Sequence, residues 1–328
     1  MNELQNILLS DMPLLISTEG YRQLMVSAFP MKANGLVSEA EIPDNQQFFF
    51  VSKTYDQEVK EAFVKIQKQL KTAAQAQQME DPASVVAYDF DSPDIPDNSV
   101  AYHRVWGIIT ASSRYYFSSK QLEEDLLASE NNPQITSHIL HVNSPGGEAY
   151  YLDRLSETLG KCQKPILVLY EMACSAAYHI ACHGQRVYAT TQFDFVGCVG
   201  TMTSFYDFRP YYESLGIKLV EAKATASDLK NKMFDDLKDG KPKQYIEVVL
   251  NPLNDCFLST VKAKRKSLAD LPADSPVLRG ETFFTANAVE LGLADGQSTL
   301  LEVVNEAAGL GRKWADLTNQ KKSLYKVI

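Results

Sequence analysis

From Ser99 to Ala222 short apolar runs alternate with helix-patterned stretches, and this alternation constrains the chain more than any other feature. The pattern predicts strands over Val105–Ile109, His138–Val142, Pro165–Tyr170, near Val187, over Val196–Met202 and over Ile217–Ala222. Between them it predicts helices over Ser119–Leu127 and Glu148–Leu159, a short one after Ser175, and another over Asp207–Leu215. Consecutive strands separated by helices must cross over to the same end of the sheet, so repeated βαβ units give a mostly parallel sheet. Ligands of such sheets bind at the carboxyl ends of the strands, which directs the search for chemistry to those turns.

The flanking regions have a different texture. Residues 1–98 read as a small N-terminal α+β preface, an amphipathic helix over Asp56–Met79, and an acidic, proline-containing linker over Glu80–Asn98. Residues 99–296 form the α/β domain, and 297–328 a C-terminal helix and tail. Beyond the alternating region, the lysine-rich stretch Lys223–Lys243 reads as a polar loop and Gln244–Leu268 as a long helix. The 328 residues, 45% hydrophobic and 22% charged, are enough for a large core.

A formal net charge of −9 argues against a general nucleic-acid or lipid-surface binder, since both partners are polyanions. The one basic run, Lys262–Lys266, reads as a solvated helix face. Five cysteines show no metal-ligand spacing, so they read as reduced thiols in a cytoplasmic protein with no metal and no cofactor. Met1–Leu15 carries Glu3 and Asp11 and lacks a basic start, and no stretch reaches the roughly 18 apolar residues of a membrane span. Neither a secretory signal nor a membrane association is expected.

Two strand-to-helix turns carry the candidate chemistry. In Met172–Ala181 a single serine, Ser175, stands among small residues between an apolar strand and a helix. It reads either as an N-capping serine or as a nucleophile presented at the sheet edge. In His141–Glu148 the pair Gly146-Gly147 ends one strand and opens a helix one unit earlier. The N–H of Gly147 and that of Ala176 are therefore expected to converge on one oxygen, as the oxyanion of a tetrahedral acyl-transfer intermediate requires.

A nucleophilic serine needs a base. His179 and His183 lie along the serine's own helix, and His103, His138 and His141 precede it; no histidine follows. A lysine serves instead when its surroundings leave part of it neutral near pH 7, and the lysines of the Lys223–Lys243 loop form the candidate set.

The motifs Asn143–Gly147, Ala173–Tyr178, Gly197–Met202, Gly280–Phe283 and Ala288–Leu293, in that order, resemble the signal peptide peptidase A family, serine peptidase family 49. The resemblance implies a Clp/crotonase-type fold and a serine-lysine dyad acting on a protein or peptide substrate. Ser175 matches the nucleophile, Gly147 and Ala176 the oxyanion donors, and Lys230 the base, with Lys232 the alternative. No glycine precedes Lys230, and Asn231 stands where the family usually has aspartate. Leu14–Glu19 is similar to the opening of phage and prophage members, which implies processing of phage scaffold or capsid proteins in the host cytoplasm. A ring-shaped homo-oligomer is implied as well, because serine and lysine can meet across subunits in such relatives. The other two readings are a crotonase-like acyl-CoA enzyme using the same glycine pair, and an inactive assembly or scaffold protein of the same fold.

Overall fold

The computed structural model describes residues 14–16, 53–79, 82–205, 207 and 209–325. In chain order the strands are β1 (Leu14–Ile16), β2 (Val85–Val86), β3 (Ser99–Trp106), β4 (Ile109–Thr110), β5 (Phe117–Ser118), β6 (Ile135–Ser144), β7 (Gly146–Glu148), β8 (Ile166–Cys174), β9 (Arg186–Ala189), β10 (Phe195–Gly197), β11 (Thr282–Phe284) and β12 (Gly296–Gln297). The helices are α1 (Tyr55–Ala76), α2 (Ser119–Asn131), α3 (Leu152–Lys161), α4 (Ala176–Ala181), α5 (Arg209–Ser214), α6 (Lys232–Lys238), α7 (Asn251–Lys264), α8 (Thr285–Glu290) and α9 (Leu300–Tyr325).

The main sheet runs β11-β10-β8-β6-β3-β2, and β8 also pairs with β9, which pairs with β12. Every pairing in it is parallel except β10 with β11, so the chain has the mostly parallel α/β architecture that the alternation predicts. Its centre is buried on both faces, and β8 shows why. Ile166, Val168 and Tyr170 face one apolar cluster with Leu155 and Leu159 of α3, while Leu167 and Leu169 face another with Val303, Val304 and Ala307 of α9. The two-residue period of a strand thus feeds two helical layers. Each such aliphatic side chain contributes about 1.5–3 kcal/mol by leaving water.

Local signals fix several boundaries. Thr54 and Gln57 form a reciprocal capping box that starts α1. The Ser118 hydroxyl caps α2 by accepting from the Gln121 N–H. Pro252 has no N–H to give the preceding turn, and the helical stretch from Lys243 passes through a π-helical turn over Ile246–Leu250 before α7. Residues 82–98 include β2 and bury Ala87, Phe90 and Ile95 against the β3 side of the sheet.

Several expectations fail. Gly146-Gly147 does not open a helix over Glu148–Leu159: Gly146–Glu148 pair as β7 and α3 begins only at Leu152. The stretch expected as a linker holds β2 and buried side chains, and the strand expected over Val196–Met202 ends at Gly197. No strand forms over Ile217–Ala222, where Leu219 is 71% and Val220 88% exposed. Strand propensity needs a partner edge, and the outer edge of β10 is already taken by β11. The basic run is not a wholly solvated face either: Arg265 is buried and paired with Asp295 at 2.9 Å. The rest of the preface, residues 1–13 and 17–52, lies outside the described residues.

Candidate active site

A smaller four-stranded sheet, β1-β7-β4-β5, takes in β4 and β7, which follow directly on β3 and β6. The register of the main sheet brings the sequence motifs together. Ser144 at the end of β6 is in register with Ala173 of β8, and Cys174 is in register with Gly197 of β10. Gly197 pairs with Thr282 of β11 on its other side, and β7 with Gly147 packs against α4, the helix that Ser175 opens. Four segments separated by up to 140 positions thus meet around one serine.

Ser175 itself is held by backbone. Its N–H donates to the Gly197 carbonyl at 2.8 Å, and its carbonyl accepts from the N–H groups of Tyr178 and His179 at 2.9 and 3.0 Å. Its φ of 55° and ψ of −120° form a sharp strand-to-helix turn at a cost in strain. The hydroxyl makes no capping bond, so the capping reading does not hold. Its one hydrogen-bond contact among the described residues is with the Gly200 carbonyl at 3.5 Å, the weak limit of such a bond. Ala176 heads the helix, where an N–H has no intrahelical acceptor. Gly147 is buried with the Ile109 backbone so close that an added Cβ would stand 2.0 Å from the Ile109 oxygen.

The histidines are engaged elsewhere. His138 bonds Glu130 and His103 at 2.9 and 3.2 Å, and His141 bonds the Tyr102 hydroxyl at 2.6 Å. His183 bonds Ser156 at 3.0 Å, and burial holds it down to about 3. His179, on the serine's own helix, stacks edge-on against Phe257, and burial lowers it to about 4. Cys174, beside the serine, is no rival nucleophile, because burial pushes its thiol well up. Buried Lys164, lowered by burial to about 8, donates to the Ser129 and Asn132 carbonyls instead. It precedes β8, about 30 Å from Ser175 along a nine-residue strand.

The candidate lysines lie on the exposed segment after α5. Lys230 is exposed, lines a shallow hollow with Lys223, Ser227 and Asn231, and has no ion pair among the described residues. Lys232 is bonded to Asp236 at 2.7 Å, which raises its pKa and holds it as a cation. No hydrogen bond joins either lysine to Ser175.

An apolar cavity of about 490 Å³ opens beside the serine helix. Its walls include Tyr151, Leu152, His179, Pro252, Leu253 and Phe257. No sequence pattern marks this pocket, because it forms only where residues 149–153, α4, the π-helical turn and α7 come together. Among the described residues no group of three or more metal-ligating side chains occurs, and no helix is long and apolar enough to cross a membrane.

Residues 159–313, a little under half of the chain, match the model of peptidase family S49; the segment includes Ser175 and Lys230 but not Gly147. The chain is 25% identical over 257 residues to Protease 4 of Haemophilus influenzae, covering 74% of this chain and 41% of that protein. It is 23% identical over 225 residues to an Enterococcus faecium protein named as a signal peptide peptidase SppA, covering 62% and 64%. The chain thus spans less than two thirds of either relative. A solved structure of a mutant membrane-bound stomatin-specific protease with a substrate peptide aligns over 64% of this chain and 80% of its own, with a TM-score of 0.42 and 12% identity. The chain is thus similar to S49 peptidases over the matched residues and to the two named relatives over part of their length.

Proposed function

We propose that the chain is a serine endopeptidase in which Ser175 is the nucleophile, Gly147 and Ala176 supply the oxyanion donors, and Lys230 is the base. The observation that carries this reading is the strained turn at Ser175, with a hydroxyl that caps nothing and is bound to no strong partner. A neutral Lys230 amine takes the Ser175 proton as its oxygen attacks a peptide carbonyl; the two N–H groups hold the resulting oxyanion. Collapse releases the amine product, and water activated by the same lysine hydrolyses the acyl-enzyme. Lys232 is the weaker candidate because its pairing with Asp236 favours the protonated form. Of the carboxylates near the glycine motif, Glu148 accepts from the Ala111 N–H and Glu171 from the Asn143 amide.

Lys230 and Ser175 belong to different copies in this proposal. The lysine sits beyond the exposed apolar stretch of Leu215, Ile217, Leu219 and Val220, a strand-like sequence without a strand partner among the described residues. Docking of that stretch on a second copy would bury it and bring in the base, which makes a homo-oligomer the working form. Protein substrates of phage or prophage origin, scaffold or capsid, follow from the resemblance of the opening Leu14–Glu19. The test is subunit complementation. Ser175→Ala and Lys230→Ala proteins are each expected to be inactive on an unfolded protein substrate, with activity returning on mixing. Activity in pure Ser175→Ala protein refutes the peptidase mechanism; active Lys230→Ala refutes the base.

A further inference from the structure

β7 is the strand that presents Gly147, and both of its edges are occupied. β4 lies along one edge, with Ile109 in register with Gly147. Along the other runs β1, antiparallel, with Leu14 opposite Glu148, Leu15 opposite Gly147 and Ile16 opposite Gly146. The second partner comes from more than 130 positions earlier in the chain. Ser175 meanwhile has no solvent exposure at all.

A peptide attacked by Ser175 must place a carbonyl oxygen at the Gly147 and Ala176 N–H groups, which requires extended backbone alongside β7. An extended peptide adds to a sheet through main-chain hydrogen bonds at an open edge. With β4 fixed on one side, the edge available for that addition is the one β1 fills. β1 has the extended conformation and main-chain pairing that such a peptide would have.

We infer that the chain's own Leu14–Ile16 segment occupies the substrate-strand position on β7, so that the described form is self-blocked and a substrate must displace this strand. This rests on the peptidase reading of Ser175. Occupation in cis gives the segment a high local concentration, so a competing peptide binds weakly until the segment is displaced or cut away. The edge itself selects extended peptides by backbone, with side-chain preference left to the neighbouring apolar cavity beside Leu152 and Phe257.

The test uses the full chain, a Leu15→Pro/Ile16→Pro variant, and a chain lacking residues 1–17. Alternate residues of a strand face its partner, so the double proline removes whichever N–H serves β7. Two readouts are taken: hydrogen exchange at the amides of residues 146–148, and the rate at which a fluorophosphonate labels Ser175. Protection of the β6 and β8 amides verifies that each variant is folded, and the truncated chain serves if the proline variant is not. The expected result is faster exchange at 146–148 and at least tenfold faster labelling in either variant, both reversed by a synthetic peptide of residues 10–20. Unchanged exchange overturns the pairing. Faster exchange with unchanged labelling of a reactive Ser175 overturns the block while leaving the peptidase reading intact. Faster exchange with no labelling in any form overturns the peptidase reading, and the block falls with it.

Discussion

The Ser175 N–H donates to the Gly197 carbonyl at 2.8 Å, and Gly197 in turn pairs with Thr282. The serine turn is therefore held from the far side of β10 rather than by its own helix alone. Gly197 has a φ of 112°, and a Cβ there would stand 2.8 Å from the Glu281 carbonyl oxygen. Gly197→Ala is expected to cost about 1–3 kcal/mol of stability from the strained conformation and to reduce Ser175 labelling. Urea unfolding and fluorophosphonate labelling check the two effects; a variant with wild-type values for both would show that β10 does not position the serine.

The backbone at Ser175 is one that glycine adopts more readily than serine. Ser175→Gly should thus be inactive yet more stable than wild type by about 1 kcal/mol, the strain relieved less the added chain entropy of glycine. Ser175→Ala keeps the strain and should show no such gain. Paired thermal melts of the two variants decide whether the turn stores strain.

The two lysines should separate by their partners. Lys232→Ala removes an exposed, solvent-screened ion pair with Asp236 and is expected to leave kcat close to that of wild type. Lys230→Ala should lower kcat by a factor of about 100 or more, the usual yield of a general base. A reversed ranking in steady-state assays would move the base to Lys232.

Val220 is 88% exposed and Leu219 71%. If that stretch is buried between copies, Leu219→Asp/Val220→Asp places two charges in an apolar contact and disperses the assembly. Sedimentation velocity should show the wild type as an oligomer and the variant as a monomer, with activity lost in parallel. An unchanged sedimentation coefficient would show that the stretch lies outside the subunit contact.

Acid should weaken the fold through His179. Burial depresses its folded pKa to about 4, below the unfolded value near 6.5. The unfolded chain then binds more protons between these values, so the stability associated with neutral His179 is full above pH 6.5 and falls away towards pH 4. His179→Phe is expected to reduce the pH slope of unfolding free energy in that window by about one proton. Denaturation series at pH 7 and pH 4.5 measure it, and an unaltered slope would show that His179 titrates normally.

The serine turn is legible in the sequence because small residues around Ser175 suit a strand-to-helix turn whatever surrounds them; the glycine pair is not, since Gly146 and Gly147 belong to β7, whose pairing with β1 and β4 no local preference records. The parallel sheet was legible too, since alternating apolar runs such as Ile166–Tyr170 suit little else. Helix boundaries moved where a proline or a cap intervened, as at Pro252 and Thr54.

What required the tertiary structure was every relation between distant segments. Strand-like Ile217–Ala222 stays unpaired because β11 has taken the edge it would need, and no local propensity records that competition. Arg265 lies in a basic run that suits a solvated face, and only the packing of Asp295, thirty positions on, buries and pairs it. The apolar cavity exists because residues 149–153, α4, the π-helical turn and α7 come together, and β7 carries a strand from the far N-terminus because its edge was open. The sequence determined which backbone turns could hold chemistry, through local steric preference; only the fold decided which groups reach them, because edges and burial are set by whatever packs first and best against each surface.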